Sequence, residues 1–178
     1  MPIEPPESAG EELLHCVVEI PKGSRNKYEW DERLQAIKLD RFLFSSVVYP
    51  TDYGFIPQTL AGDGDALDAM VTVSEPTFPG CVILVKPVGM FKMRDEKGED
   101  EKILCVPVTD PNWNTYESYE ELTQQLRDEI QWFFSMYKTP EGKVVEVDGW
   151  FGRDEAWEVI RESRRRWKDR EDEKGETP

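Results

Sequence analysis

Histidine is nearly missing from this 178-residue sequence, with His15 the sole imidazole. One histidine makes no cluster, so zinc sites and two-histidine, one-carboxylate iron sites lose their usual donors. His15 heads a β-prone run beside apolar residues and reads as structural. Cysteine is scarce too. Cys16, Cys81 and Cys105 are odd in number, far apart and in no CxxC pair, which argues against a disulfide framework and for free, buried thiols in a reducing compartment. Basic residues are outnumbered, 22 Lys and Arg against 37 Asp and Glu, and the formal charge of -15 repels a nucleic-acid backbone. There is no run of eighteen apolar residues and no basic-then-apolar leader at the start. The expectation is a cytoplasmic protein with neither nucleic acid nor membrane as partner.

Core material is not lacking. Apolar residues are 38% of the chain and aromatics 11%, so the low mean hydropathy comes from the 33% that are charged. The length predicts a single domain over residues 1–178. Within it, residues 1–12 are rich in proline and glutamate and read as a mobile arm, and 168–178 read as a charged, frayed tail.

The first two thirds carry strand signals. LHCVVEI from Leu14 to Ile20, the stretch around Ala36 to Leu39, CVILVKPVGMFKM at 81–93 and KILCVPV at 102–108 are β-prone and separated by polar turns, the last two by RDEKGEDE. The period then changes. Leu122, Leu126, Ile130, Phe133, Phe134 and Tyr137 recur every three or four residues on one helical face, with Ser118 and Glu121 as a capping box at its start. A second helix is predicted from the stripe Ala156, Trp157, Ile160 and Trp167, its polar surface supplied largely by Arg161, Arg164, Arg165 and Arg166. Strands followed by helices predict an α+β fold, a small closed or highly curled, mostly antiparallel β-barrel of the OB-like kind with two or more helices packed outside.

The most informative segment is Asp63-Gly64-Asp65-Ala66-Leu67-Asp68. Three carboxylates within six residues repel one another, and hard divalent cations, which prefer oxygen ligands, resolve that repulsion. Alone, the spacing fits a solvated turn equally well. It is not an EF-hand loop, because counting from Asp63 puts Leu67 at position 5, Asp68 at position 6 and Ser74 at position 12. A second acidic group, Asp95, Glu96, Glu99, Asp100 and Glu101, lies on the turn between the later strands and by itself reads as solvated.

Taken together and in order, these segments resemble the family I soluble inorganic pyrophosphatases from about Val17 to Trp150. The aspartate loop has the family's D-x-D-x-x-D form. EIPKGSRNKYEWD resembles its N-terminal strands, LDRF its arginine element, VYPTDYGFIP its tyrosine segment, VGMFKMRDEKGEDEKILCVP its second metal-binding hairpin, and FFSMYKTPEGKVVEVDGW its tyrosine-lysine element. The resemblance implies metal ligation by Asp63, Asp68, Asp95 and Asp100, with Glu19 and Glu29 completing or steadying the cations. It makes Asp65 the general base and groups it with Tyr53 and Arg41 as the catalytic set. Lys27, Arg41, Tyr49, Lys102, Tyr137 and Lys138 match phosphate-holding or site-lining positions. The clearest departure is Ala66, where the family most often has proline; alanine frees the loop's φ angle but removes no carboxylate.

Pyrophosphate hydrolysis needs such a set. The substrate repels an incoming hydroxide, and cations that activate water and neutralise the leaving phosphate lower that barrier. Magnesium is the expected ion, with other divalent cations as substitutes. By the same resemblance the chain is a homo-oligomer, and its length favours the hexamer of short prokaryotic members over the dimer of longer eukaryotic ones. Two other readings are a hydrolase of a larger phosphoanhydride and a non-catalytic acidic scaffold that binds divalent cations. The first lacks a Walker loop. The second does not require Lys27, Arg41, Tyr137 and Lys138 beside the carboxylates.

Overall fold

The computed structural model describes residues 13–175. The chain runs β1 (Leu14–Ile20), β2 (Asn26–Asp31), β3 (Ala36–Phe42), β4 (Asp52–Ile56), β5 (Leu67–Val71), β6 (Val82–Asp95), β7 (Gly98–Pro107), α1 (Gln124–Met136), β8 (Glu146–Phe151) and α2 (Arg153–Gly175). The N-terminal arm lies outside the described residues.

The main sheet is ordered β1-β4-β5-β7-β6-β8, and β1 also pairs with β6, which closes five strands into a ring. Closure depends on the length of β6. Its first part pairs with β1 (Leu14 opposite Val85), the stretch from Val85 to Asp95 with β7, and its last part with β8 (Met90 opposite Phe151). Every pairing is antiparallel except β5 with β7, where Asp68 and Lys102 are in register on parallel strands. The sequence expectation of a closed, mostly antiparallel barrel with outer helices therefore holds.

Two details of β4 fix the ring locally. A Cβ on Gly54 would lie 1.9 Å from the Val17 carbonyl oxygen, so only glycine lets β1 approach this closely. The fully buried Asp52 accepts the Lys22 N–H at 2.8 Å and the Thr77 N–H at 3.1 Å, tying the β1–β2 turn and the loop after β5 to the start of β4. A buried carboxylate with several donors is satisfied rather than strained.

The eight-residue turn expected after the long strand is shorter. Strand pairing continues to Asp95 opposite Gly98, leaving Glu96 and Lys97 as the loop, with Gly98 at φ 111°. Asp95, Glu99 and Asp100 are therefore strand residues whose directions the pleat sets. The capping box is real but misplaced: Ser118 and Glu121 cap the 3-10 turn Tyr119–Glu121, and α1 is capped by Thr123, whose hydroxyl accepts the Leu126 N–H at 3.2 Å. Leu122 accordingly precedes the helix. Strand β8 carried no recognisable signal because its burial is only partial and Gly149, at φ 105°, interrupts it.

Helix α1 lays Ile130, Phe133 and Phe134 against Tyr49, Phe91 and Leu104. Helix α2 covers the other side, with Ala156, Trp157 and Ile160 on Leu14, Ile56 and Leu67. The stretch expected to fray from residue 168 continues α2 to Gly175, with ion pairs such as Lys174 to Glu171 at i, i+3 spacing along its exposed surface. Cys16 and Cys105 are buried free thiols, as expected, but Cys81 is only half-buried. Among the described residues no helix is long and apolar enough to cross a membrane.

Candidate active site

The parallel pairing of β5 with β7 creates the centre of the site. Asp68 on β5 and Lys102 on β7 share a register position, and Asp100 precedes Lys102 by two residues on the same face. The Lys102 ammonium, 1% exposed, donates to both Asp100 oxygens at 3.1 Å, to Asp68 Oδ2 at 3.2 Å and to the Tyr53 hydroxyl at 2.7 Å. Tyr53 in turn donates its hydroxyl hydrogen bond to Asp68 Oδ2 at 2.6 Å. The ammonium also lies 5.0 Å from the Tyr53 ring centroid and 4.8 Å from that of Phe134. Burial alone pulls a lysine towards neutrality. Here it is outweighed by Asp100 and Asp68, which hold Lys102 well above its ordinary pKa and therefore charged.

Two bulges aim further residues. Between Val18 and Ile20 the β1–β4 register slips by one, so Glu19 is the unpaired residue. Its carboxylate accepts the Trp30 N–H at 2.8 Å and lies within electrostatic reach of Asp68, Lys27 and Glu29; burial raises its pKa to about 7. In the β2–β3 hairpin, Lys27 faces Arg41 and Tyr28 faces Leu39, which leaves Asp40 unpaired. Two like charges directly opposite on neighbouring strands are unfavourable. The bulged Asp40 answers this: its Oδ2 accepts from Lys27 Nζ at 3.0 Å and from Arg41 Nη1 at 2.7 Å. Glu29, on the same hairpin, pairs with Lys38 at 3.1 Å.

The aspartate loop joins β4 to β5. Asp63 accepts the Asp65 N–H at 3.0 Å, Gly64 takes φ 90°, and the Asp65 carbonyl accepts the Ala61 N–H at 2.7 Å. This compact turn holds although Ala66 supplies no ring constraint. Partial burial, and then Asp63, raise the pKa of Asp65, while Lys97 and Lys27 oppose the shift.

On the far wall, Tyr137 caps α1 and stacks on Phe133 with centroids 5.3 Å apart, and Lys138 follows it. Lys138 Nζ donates to Asp95 Oδ2 at 2.5 Å. Burial raises the Asp95 pKa, but Lys138 and the Lys97 N–H outweigh it and hold the carboxyl below its ordinary value. Tyr49 is buried beside Tyr53, with centroids 5.5 Å apart, and beside Phe133 at 4.5 Å.

The fold thus links most of the expected residues in one charged neighbourhood. Asp68 interacts electrostatically with Glu19, Asp100, Lys102, Tyr53, Tyr49 and Tyr137; Glu19 does so in turn with Lys27 and Glu29, Asp65 with Asp63, Lys27 and Glu29, and Lys138 with both Tyr137 and Asp95. Among the described residues no three acidic, histidine or cysteine side chains are close enough to form a ready-made metal cage. The donor chemistry nevertheless fits a hard divalent cation. It consists wholly of oxygen, and an ammonium already sits between Asp68 and Asp100, so the pair accommodates a positive charge. Two further residues carry ionic contacts that sequence reasoning missed: Asp40, and Glu141, whose Oε1 accepts from Arg41 Nε at 2.6 Å. Asp40 was detectable only as the neighbour of Arg41. Glu141 gave no local signal.

The family model described as inorganic pyrophosphatase matches residues 16–168. The chain is similar to an inorganic pyrophosphatase of Methanosarcina acetivorans, 59% identical over 151 residues that cover 85% of this chain and 90% of the relative. It is also similar to one of Streptomyces coelicolor, 54% identical over 153 residues that cover 85% and 94%. Among solved structures, the inorganic pyrophosphatase from Thermus thermophilus matches with a TM-score of 0.88 at 43% identity, over 94% of this chain and 98% of that one.

Proposed function

Since this chain belongs to the family I soluble inorganic pyrophosphatases and hydrolyses pyrophosphate to two phosphates, we propose that it does so with magnesium, using Asp65 as general base. The observation that carries this reading is the cluster in which Asp68 and Asp100, from two strands paired in parallel, meet Tyr53 and Lys102. Family enzymes are generally metal-dependent. Asp63, Asp68, Asp95 and Asp100 are the oxygen donors suited to the ions, with Glu19 and Glu29 behind them. When bound, magnesium supplies positive charge to the phosphate oxygens and acidity to the attacking water.

The protein's own groups do the rest. Asp65 takes a proton from water as the water oxygen bonds to phosphorus and the bridging P–O bond breaks, releasing phosphate. Its side chain, unlike those of Asp63 and Asp68, accepts no hydrogen bond from the described residues, which leaves its oxygens open to a water. Lys27, Arg41, Tyr137 and Lys138 hold the phosphate oxygens by charge and hydrogen bonds. Tyr53 orients Asp68. Lys102, buried among carboxylates, balances Asp68 and Asp100 until the cations arrive.

Phosphate release from pyrophosphate is the test, at neutral pH, with magnesium titrated in and then chelated. Expected is rapid release that requires magnesium, with little from ATP. Comparable release from ATP supports the wider phosphoanhydride reading, and no release with any divalent metal from a folded sample leaves the cation-binding scaffold. A cytoplasmic, hexameric, single-domain protein completes the reading, and its mass in solution checks the hexamer.

A further inference from the structure

Arg41 stands on a poorly anchored element. Strand β3 pairs only with β2, and most of its side chains are exposed, so the core does not fix the long arginine side chain. Yet the guanidinium is held at two points. Nε donates to Glu141 Oε1 at 2.6 Å, and Nη1 donates to Asp40 Oδ2 at 2.7 Å. Both are short, charge-assisted bonds. Nη2 has no partner among the described residues, so the clamp leaves one edge of the guanidinium as donor.

Glu141 comes from a segment 100 residues away. It ends the 3-10 turn Thr139–Glu141, which directly follows Tyr137 and Lys138. The turn is stiff. Pro140 lies within it, its Glu141 N–H returns to the Lys138 carbonyl at 3.1 Å, and Gly142 ends it at φ 73°. The second Glu141 oxygen faces Lys143 Nζ at 3.7 Å, a further contact that orients the carboxylate while its first oxygen holds Arg41. The bond therefore joins the two walls that bear the candidate phosphate-holding groups, Tyr137 and Lys138 on one and Lys27 and Arg41 on the other.

We propose that Glu141 is a positioning residue for the reaction: with Asp40 it fixes the Arg41 guanidinium so that the Nη2 edge meets a phosphate of pyrophosphate. This rests on the reading of Arg41 as a phosphate-holding group. Glu141 touches neither substrate nor ions in this assignment. It acts through Arg41 alone.

The test compares Glu141→Ala, Glu141→Gln, Arg41→Ala and the Arg41→Ala/Glu141→Ala double variant. Pyrophosphate kinetics are measured at saturating magnesium, magnesium binding without substrate by calorimetry, and folding by thermal unfolding. For Glu141→Ala the expected result is a KM raised about tenfold, with kcat within roughly threefold and an unchanged magnesium isotherm, the pattern of a lost substrate-binding contact. Glu141→Gln recovers most of the loss, because its amide oxygen still accepts from Nε. In the Arg41→Ala background Glu141→Ala adds nothing. Unchanged KM in Glu141→Ala beside an impaired Arg41→Ala overturns this proposal and leaves the pyrophosphatase reading intact. A fall in KM, meaning that Glu141 competes with phosphate for Arg41, overturns it too, as does a full Glu141→Ala effect without Arg41. Normal kinetics in Arg41→Ala overturns the assignment of Arg41 itself, and this proposal with it.

Discussion

The ammonium of Lys102 lies 3.1 Å from both carboxylate oxygens of Asp100, two residues earlier on the same strand. With Asp68 at 3.2 Å it forms an internal salt, nearly sealed from water on the lysine side. Lys102→Met should therefore unfold more easily without metal, because two carboxylates are left facing each other. Breaking a buried ion pair costs roughly 3–5 kcal/mol, about 10 °C in Tm for a chain of this size. Magnesium should restore much of the loss by supplying the missing charge. Thermal unfolding with chelator and then with magnesium checks this, and equal losses in both refute the charge-balancing role.

Asp65 is the least encumbered carboxylate of the loop, its side chain hydrogen-bonded to no partner among the described residues and its backbone held by Asp63 and Ala61. Asp65→Asn should leave unfolding and magnesium binding near those of the parent while turnover falls by about two orders of magnitude, the scale of general-base catalysis. Turnover near normal in that variant removes Asp65 from the base role.

Glu19 gives the metal-free protein a pH dependence. Burial holds its folded pKa at about 7 against an ordinary value of 4.5. Between those values the folded chain keeps a proton that the unfolded chain has lost, so stability falls as pH rises from about 4.5 to about 7. The contribution is complete below 4.5 and gone above the folded pKa. Chemical denaturation in chelator across this range should show the decline, and Glu19→Gln should flatten it. An identical slope in the variant assigns the effect elsewhere.

Gly54→Ala should be among the most damaging single changes outside the charged cluster. The added carbon would meet a backbone carbonyl, which cannot rotate aside, and the cost lies at the upper end of overpacking, about 3 kcal/mol. Because Gly54 follows Tyr53, the Tyr53–Asp68 bond should suffer as well. The combined readout is a lower Tm with reduced turnover, and a parent-like Tm would show that β1 can move away.

Much of this was visible in the sequence where the chemistry is local. Asp63, Asp65 and Asp68 stand within one six-residue window, and the strand runs and helical stripes follow from period alone. What escaped depends on register or on distant partners. Alternation puts Asp40 on the face opposite Arg41, and only a bulge brings its carboxylate back to Arg41 and Lys27. Burial of Lys102 follows from packing against Tyr53 and Phe134, which lie 49 residues before it and well after it in the chain. The capping box was recognised by its residues yet caps a different turn, since the pattern does not say how long the capped helix is.

The parallel alignment of β5 with β7 has a consequence for how the protein comes into being. Asp68 and Asp100 are neighbours only because a strand made later inserts beside one made earlier, with the long β6 leaving and returning between them. Such non-local pairing pays its loop-closure entropy before any contact rewards it. A chain still emerging from the ribosome at residue 95 holds the aspartate loop but nothing to set against it. Competence to bind ions as a cluster should thus arrive in one late step with ring closure, and no shorter fragment should retain a weakened version of the activity.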